Sequence, residues 1–130
     1  MKLLLDTQVA IWAVVSPVRI SVSARDYLAD ERNEAFVSVV SLWEIAIKFA
    51  LGKRQGAPPF SGTDALLHFR AAGFEILSIA PEHAIAVETL PPLHADPFDR
   101  LLIAQALHEP MRLMTADAKM AAYNGTIIRA

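Results

Sequence analysis

Short apolar runs alternate with longer stretches of helical periodicity along the whole chain. Residues 2–5 form a brief apolar run compatible with a strand, and residues 7–15 suit a buried helix that stops near Ser16-Pro17. Residues 21–32 set Val22, Ala24, Leu28 and Ala29 against Arg25, Asp26, Asp30 and Glu31, the pattern of an amphipathic helix. Residues 34–40, rich in Phe and Val, predict a strand, and 41–51 a helix ended by Gly52. Gly and Pro make 55–62 a loop. A helix over 63–72, a strand over 74–79 and a helix over 81–90 follow. After a loop at 91–95 comes a helix over 96–108 with Pro97 in its first turn. A strand over 112–115, a short helix over 117–123 and a last strand over 126–128 complete the pattern. Strands alternating with helices predict an α/β fold with a mostly parallel sheet, whose functional crevice lies at the carboxyl ends of the strands.

Composition narrows the chemistry. The 130 residues suit one domain and contain no cysteine, which excludes disulfides and thiolate metal sites and fits a reducing compartment, the cytoplasm. Asp6 and Gln8 interrupt the apolar start too early for a signal peptide, and no apolar run reaches the roughly 20 residues of a membrane span. The net charge of −2 lacks the basic signature of a general nucleic-acid binder, so contact with RNA or DNA requires a local patch. Hydrophobic residues make up 54% of the chain. That excess fits a covered surface, either a homodimer face or a partner groove, and the 22 alanines account for it equally well.

The chemistry concentrates in acids at strand-to-helix junctions. Asp6 follows Leu3-Leu4-Leu5, Glu44 lies about a turn past the second strand, and Asp117 lies two residues after Thr115. Parallel strands bring these three to one edge, and Asp99 joins them if its helix starts there. Two unit charges 4 Å apart repel by roughly 4 kcal/mol at an effective dielectric of 20, so converging carboxylates protonate or bind a cation. All-oxygen ligands favour Mg²⁺ or Mn²⁺, which suits phosphodiester hydrolysis. Each acid also has a structural reading. Asp6, Asp96 and Asp117 fit N-caps, Asp99 complements a helix dipole, and Ser41-x-x-Glu44 fits a capping box. The four histidines lack zinc spacing and are expected at the surface, with His94, two residues before Asp96, the one that could stand near the mouth of the site, and Lys48 is expected to pair with Glu44 on a helix surface. Lys53, Arg54, Arg100 and Lys119 are candidate phosphate contacts.

Leu-Leu-Asp6-Thr7, Ser41-Leu42-Trp43-Glu44-Ile45, Asp96-Pro97-Phe98-Asp99-Arg100-Leu101-Leu102-Ile103-Ala104-Gln105-Ala106 and Leu113-Met114-Thr115-Ala116-Asp117, in that order, resemble a PIN-domain protein. The likeness is to the VapC-type ribonuclease toxins of bacterial toxin–antitoxin pairs. It implies an α/β/α sandwich with a parallel five-stranded sheet, spanning 1–130 as a single nuclease domain. It also implies a Mg²⁺- or Mn²⁺-dependent endoribonuclease acting on RNA, and a cognate antitoxin covering the acidic site. By position, Asp6 and Asp99 correspond to metal ligands, Glu44 to a ligand or water-orienting group, and Asp117 to a group completing the site. Thr115 corresponds to a supporting hydroxyl, and Asp96 to an additional acid acting as cap or outer-shell ligand. The alternative is a PIN-like binding module without catalysis, its acids serving as helix caps.

Overall fold

The apolar run near the start becomes the middle of the sheet. In the computed structural model, which describes residues 1–123 and 127–130, the strands are β1 (Lys2–Leu5), β2 (Glu34–Ser38), β3 (Glu75–Leu77), β4 (Arg112–Thr115) and β5 (Ile127–Arg129). They form one sheet in the order β3-β2-β1-β4-β5, and every pairing is parallel. Leu3, Leu4 and Leu5 are all buried because β1 has a strand on either side and a helical layer on either face.

The helices are α1 (Thr7–Val15), α2 (Val22–Ala29), α3 (Val39–Ala50), α4 (Gly62–Ala71), α5 (Pro81–Ala86), α6 (Pro97–His108) and α7 (Ala118–Ala121). Two cores separate by the period-two alternation of the strands. Leu3 and Leu5 pack with Val9 and Ala10 of α1, Ala24 of α2, Ile45 of α3 and Phe69 of α4. Leu4 packs on the other face with Leu102, Ile103 and Ala106 of α6 and Met120 of α7. The result is the expected α/β/α sandwich.

Several boundaries differ from those expected. The second strand ends at Ser38, not at residue 40, and α3 begins at Val39. Ser38 caps it, its Oγ accepting from Val40 N at 3.0 Å. The expected capping box at Ser41 is therefore absent, because Ser41 already lies inside the helix. The expected helix over 81–90 is α5 followed by a 3₁₀ turn at Val87–Thr89. A further 3₁₀ turn, Pro17–Arg19, continues past the predicted stop of α1. Thr126, the expected first residue of the last strand, lies outside the described residues. Among the described residues, no helix is long and apolar enough to cross a membrane.

Candidate metal centre

β1 and β4 are neighbours, and the chain leaves β1 towards β2 on the opposite side. A crevice opens at such a point, beyond the carboxyl ends of the strands. Here it is a cleft of about 680 Å³ whose lining includes Asp6, Thr7, Glu44, Asp96, Asp99 and Asp117.

Asp6 leaves β1 and caps α1, Oδ1 accepting from Val9 N at 2.8 Å. Its other oxygen accepts from the Thr115 hydroxyl at the end of β4. Thr115 in turn accepts from Asp117 N at 3.0 Å, and Asp117 Oδ1 accepts from Lys119 N at 2.8 Å to cap α7. Thr115 thus couples the first acid to the last across adjacent strands. Asp96 caps α6 through Asp99 N at 3.1 Å. The Asp99 carboxylate is no cap and turns instead to His94, with His94 Nε2 at 2.7 Å from Asp99 Oδ2. The same nitrogen lies 3.5 Å from Asp117 Oδ2.

Glu44 sits on α3 well past the cap and is buried. Thr7 Oγ1 donates to its Oε1 at 2.7 Å, and Thr7 also lies 2.8 Å from Ser41 Oγ. The Lys48 ammonium pairs with Glu44 Oε2. The expected i, i+4 ion pair forms, but on the wall of the cleft, where Lys48 is a lining residue.

Charge crowding is visible in the acids themselves. Burial pushes the Asp6 carboxyl up to about 6, against the bonds from Thr115 and Val9, and Asp99 and Glu44 push it further. Burial also raises Asp99 to about 6, with Asp96 and Glu44 adding to the rise and His94 opposing it. Such a site favours a cation that replaces the missing water and offsets the repulsion. The cleft acids offer carboxylate oxygens, which fit a hard divalent ion.

Several expectations change. His94 is not at the surface, since its side chain is only 11% exposed between two of the acids. His83 is not at the surface either. It is buried, accepts from Ala80 N at Nδ1 and faces Glu109 with Nε2. Arg100 lines no part of the cleft, because its guanidinium donates to the carbonyls of Val87, Leu90, Pro91 and His94 and to the Tyr123 hydroxyl. Lys53, Arg54 and Lys119 are exposed and also lie outside the lining. Among the described residues, the cations lining the cleft are Lys48 and Arg19, the latter with its guanidinium 4.9 Å from the Trp12 ring centre. No spacing rule marks Arg19. His94 had a signal in its place two residues before Asp96.

The PIN domain model matches residues 3–125. The chain is 32% identical over 120 residues to ribonuclease VapC22 of Mycobacterium tuberculosis, covering 90% of this chain and 88% of that one. The solved VapBC2 of Rickettsia felis, bound to a DNA fragment from its promoter, superposes with a TM-score of 0.71 at 18% identity over 100% of this chain and 98% of that one. A toxin–antitoxin complex from Klebsiella pneumoniae gives a TM-score of 0.62 at 16% identity over 96% and 94% of the two chains. With the motif order, the sheet order and the acid-lined cleft in agreement, this chain belongs to the PIN domain family.

Proposed function

We propose that residues 1–130 form a metal-dependent endoribonuclease, the toxin of a type II toxin–antitoxin pair. The observation that carries this reading is the cleft at the carboxyl edge of the sheet, where Asp6, Glu44, Asp99 and Asp117 arrive from four different elements. Asp6, Asp99 and Asp117 would hold Mg²⁺ or Mn²⁺, with Glu44 as a further ligand or as the group that orients water. The bound ion supplies a Lewis acid for the phosphodiester and lowers the pKa of an attacking water. Thr115 fixes the free oxygen of Asp6, and Thr7 with Lys48 fixes both oxygens of Glu44. Asp96 acts as a cap that holds the first turn of α6, and with it Asp99, in place. Lys48 and Arg19 offer positive charge to RNA phosphates at the cleft wall, the local patch that a net charge of −2 requires.

Likeness to relatives solved as toxin–antitoxin complexes supports an antitoxin as the partner. Trp43, Phe49 and Leu51 of the α3 region and Leu67 of α4 expose apolar surface that suits such a partner or a second copy in a homodimer.

Asp6→Asn and Asp99→Asn should each abolish Mn²⁺-dependent RNA cleavage while circular dichroism stays unchanged, because the swap is nearly isosteric. Full cleavage by either variant would sink the assignment. The binding-module alternative gains support from Asp6, Asp96 and Asp117, which do cap helices. Asp99 and Glu44 cap nothing, so it leaves their presence in the cleft without a role. Failure of the partner-free protein to bind Mn²⁺ would favour it.

A further inference from the structure

His94 Nε2 lies 2.7 Å from Asp99 Oδ2 and 3.5 Å from Asp117 Oδ2, and these three groups converge within 4.8 Å of one another. Neighbouring ligands of an octahedral ion with bonds of about 2.1 Å lie about 3 Å apart. The two separations made by His94 are close to that spacing, and the third lies within 4.8 Å. From this geometry we propose that His94 is a protein ligand of the divalent ion, making the site a mixed nitrogen–oxygen one. The inference rests on the metal-dependent reading above and adds a donor of a different class to it.

The backbone that presents His94 is held rigidly. The Tyr123 hydroxyl accepts from Leu93 N at 3.0 Å and His94 N at 2.9 Å, and donates to Pro91 O at 2.7 Å. Arg100 clamps the same turn through the carbonyls of Pro91 and His94. A loop tied down at this density delivers its imidazole to a fixed point, which a ligand needs and a solvent-facing histidine does not.

The protonation chemistry separates His94 from the second histidine cluster. His83, His108 and Glu109 also converge within 4.8 Å. Ala80 N–H donates to His83 Nδ1, so the neutral ring keeps its proton on Nε2, aimed at Glu109. A metal there would require an imidazolate. The 2.7 Å approach of His94 Nε2 to Asp99 Oδ2 holds a proton between them in the metal-free site, and because nothing among the described residues donates to His94 Nδ1, the ring can carry its proton there and release Nε2 to the ion.

An imidazole ligand shifts preference from Mg²⁺ towards Mn²⁺ and later transition ions. The test adds Mn²⁺ to the full chain stripped with EDTA and records pulsed electron paramagnetic resonance, which detects a directly bound imidazole nitrogen. The expected result is a ¹⁴N coupling that changes on ¹⁵N-histidine labelling and disappears in His94→Gln. Calorimetry should show Mn²⁺ affinity reduced about tenfold or more in that variant, with a smaller change for Mg²⁺ and no change in His108→Gln. Mn²⁺ binding that Asp6→Asn removes, but with no nitrogen coupling in the parent, would overturn the role of His94 and leave the nuclease reading standing. Coupling that persists in His94→Gln would overturn it equally. No Mn²⁺ binding by the parent would overturn both. The parent spectrum decides the matter even if His94→Gln fails to fold.

Discussion

Asp6 does two jobs with two oxygens. One caps α1 through Val9 N, and the other receives Thr115 at the cleft. Asp117 is divided in the same way, with Oδ1 on Lys119 N and Oδ2 towards His94. Capping therefore occupies one oxygen of each residue and leaves the other on the cleft side. The cost of assembling the acids is measurable. Asp6 and Asp99 titrate near 6 in the folded protein and near 3.8 unfolded, so between those values the native state binds more protons. Stability of the metal-free protein should fall as pH rises through that window, by up to about 2–3 kcal/mol for buried Asp6 and by less for half-buried Asp99, whose charge is partly screened by solvent. Asp6→Asn should raise metal-free stability at pH 7.5 by about 1–2 kcal/mol, since Asn caps about as well as Asp, and Asp99→Asn, which removes a crowded charge and no cap, should raise it by less. The gain should shrink markedly at pH 4.5, near the lower end of that window, where the folded parent's acids are largely protonated. Denaturant melts in EDTA at the two pH values check this, and a variant less stable at pH 7.5 would refute the crowding. The acids themselves were legible because each stands beside a run that reads as a strand or a helix start. Arg100 was not, since its partners lie on a turn that sequence spacing does not bring to it, and His94 was marked only by its place two residues before Asp96.

At the scale of elements, the alternation of strands and helices was legible and the junctions were less so. Val39 and Val40 look like strand because β-branched residues favour it, yet they form the first turn of α3. Ser38 decides the matter by capping, and Val40 then turns into the core against α6. Ser38→Ala should cost about 1 kcal/mol in urea unfolding; no loss would return the helix start to Ser41. The shift has a functional consequence. It places Ser41 and Glu44 on one face of the helix, where both meet Thr7. The turn over 87–94 is the other element that only contacts explain. Arg100 satisfies four of its carbonyls from within α6. Arg100→Lys keeps the charge but loses the fork, and should lower stability by about 2 kcal/mol. Tyr123→Phe should cost about 1–2 kcal/mol by stranding the amides of Leu93 and His94. Both follow from thermal melts, and an unchanged Arg100→Lys melt would mean that the turn holds without the clamp.

For the whole molecule, the site depends on sheet order. Asp6 and Thr115 are 109 residues apart in sequence and touch because β1 pairs with β4. A ligand that binds only this assembled state stabilises it by mass action. Mn²⁺ at about 100 times its dissociation constant should add about 2.7 kcal/mol to unfolding at pH 7.5, and add far less to Asp6→Asn. Equal stabilisation of parent and variant would place the ion elsewhere. The sequence by itself determined the fold class, the succession of elements and the acids, because local periodicity and junction chemistry are short-range properties written along the chain. It left open where the apolar surplus goes, and the structure puts part of it on exposed α3 and α4 positions such as Trp43 and Leu67. Only the tertiary structure decided that His94 faces two carboxylates, that Arg100 clamps a loop and that Arg19 lines the cleft. Those facts depend on which strands lie side by side and how the connecting loops fold back, and such long-range pairings leave no period in the sequence.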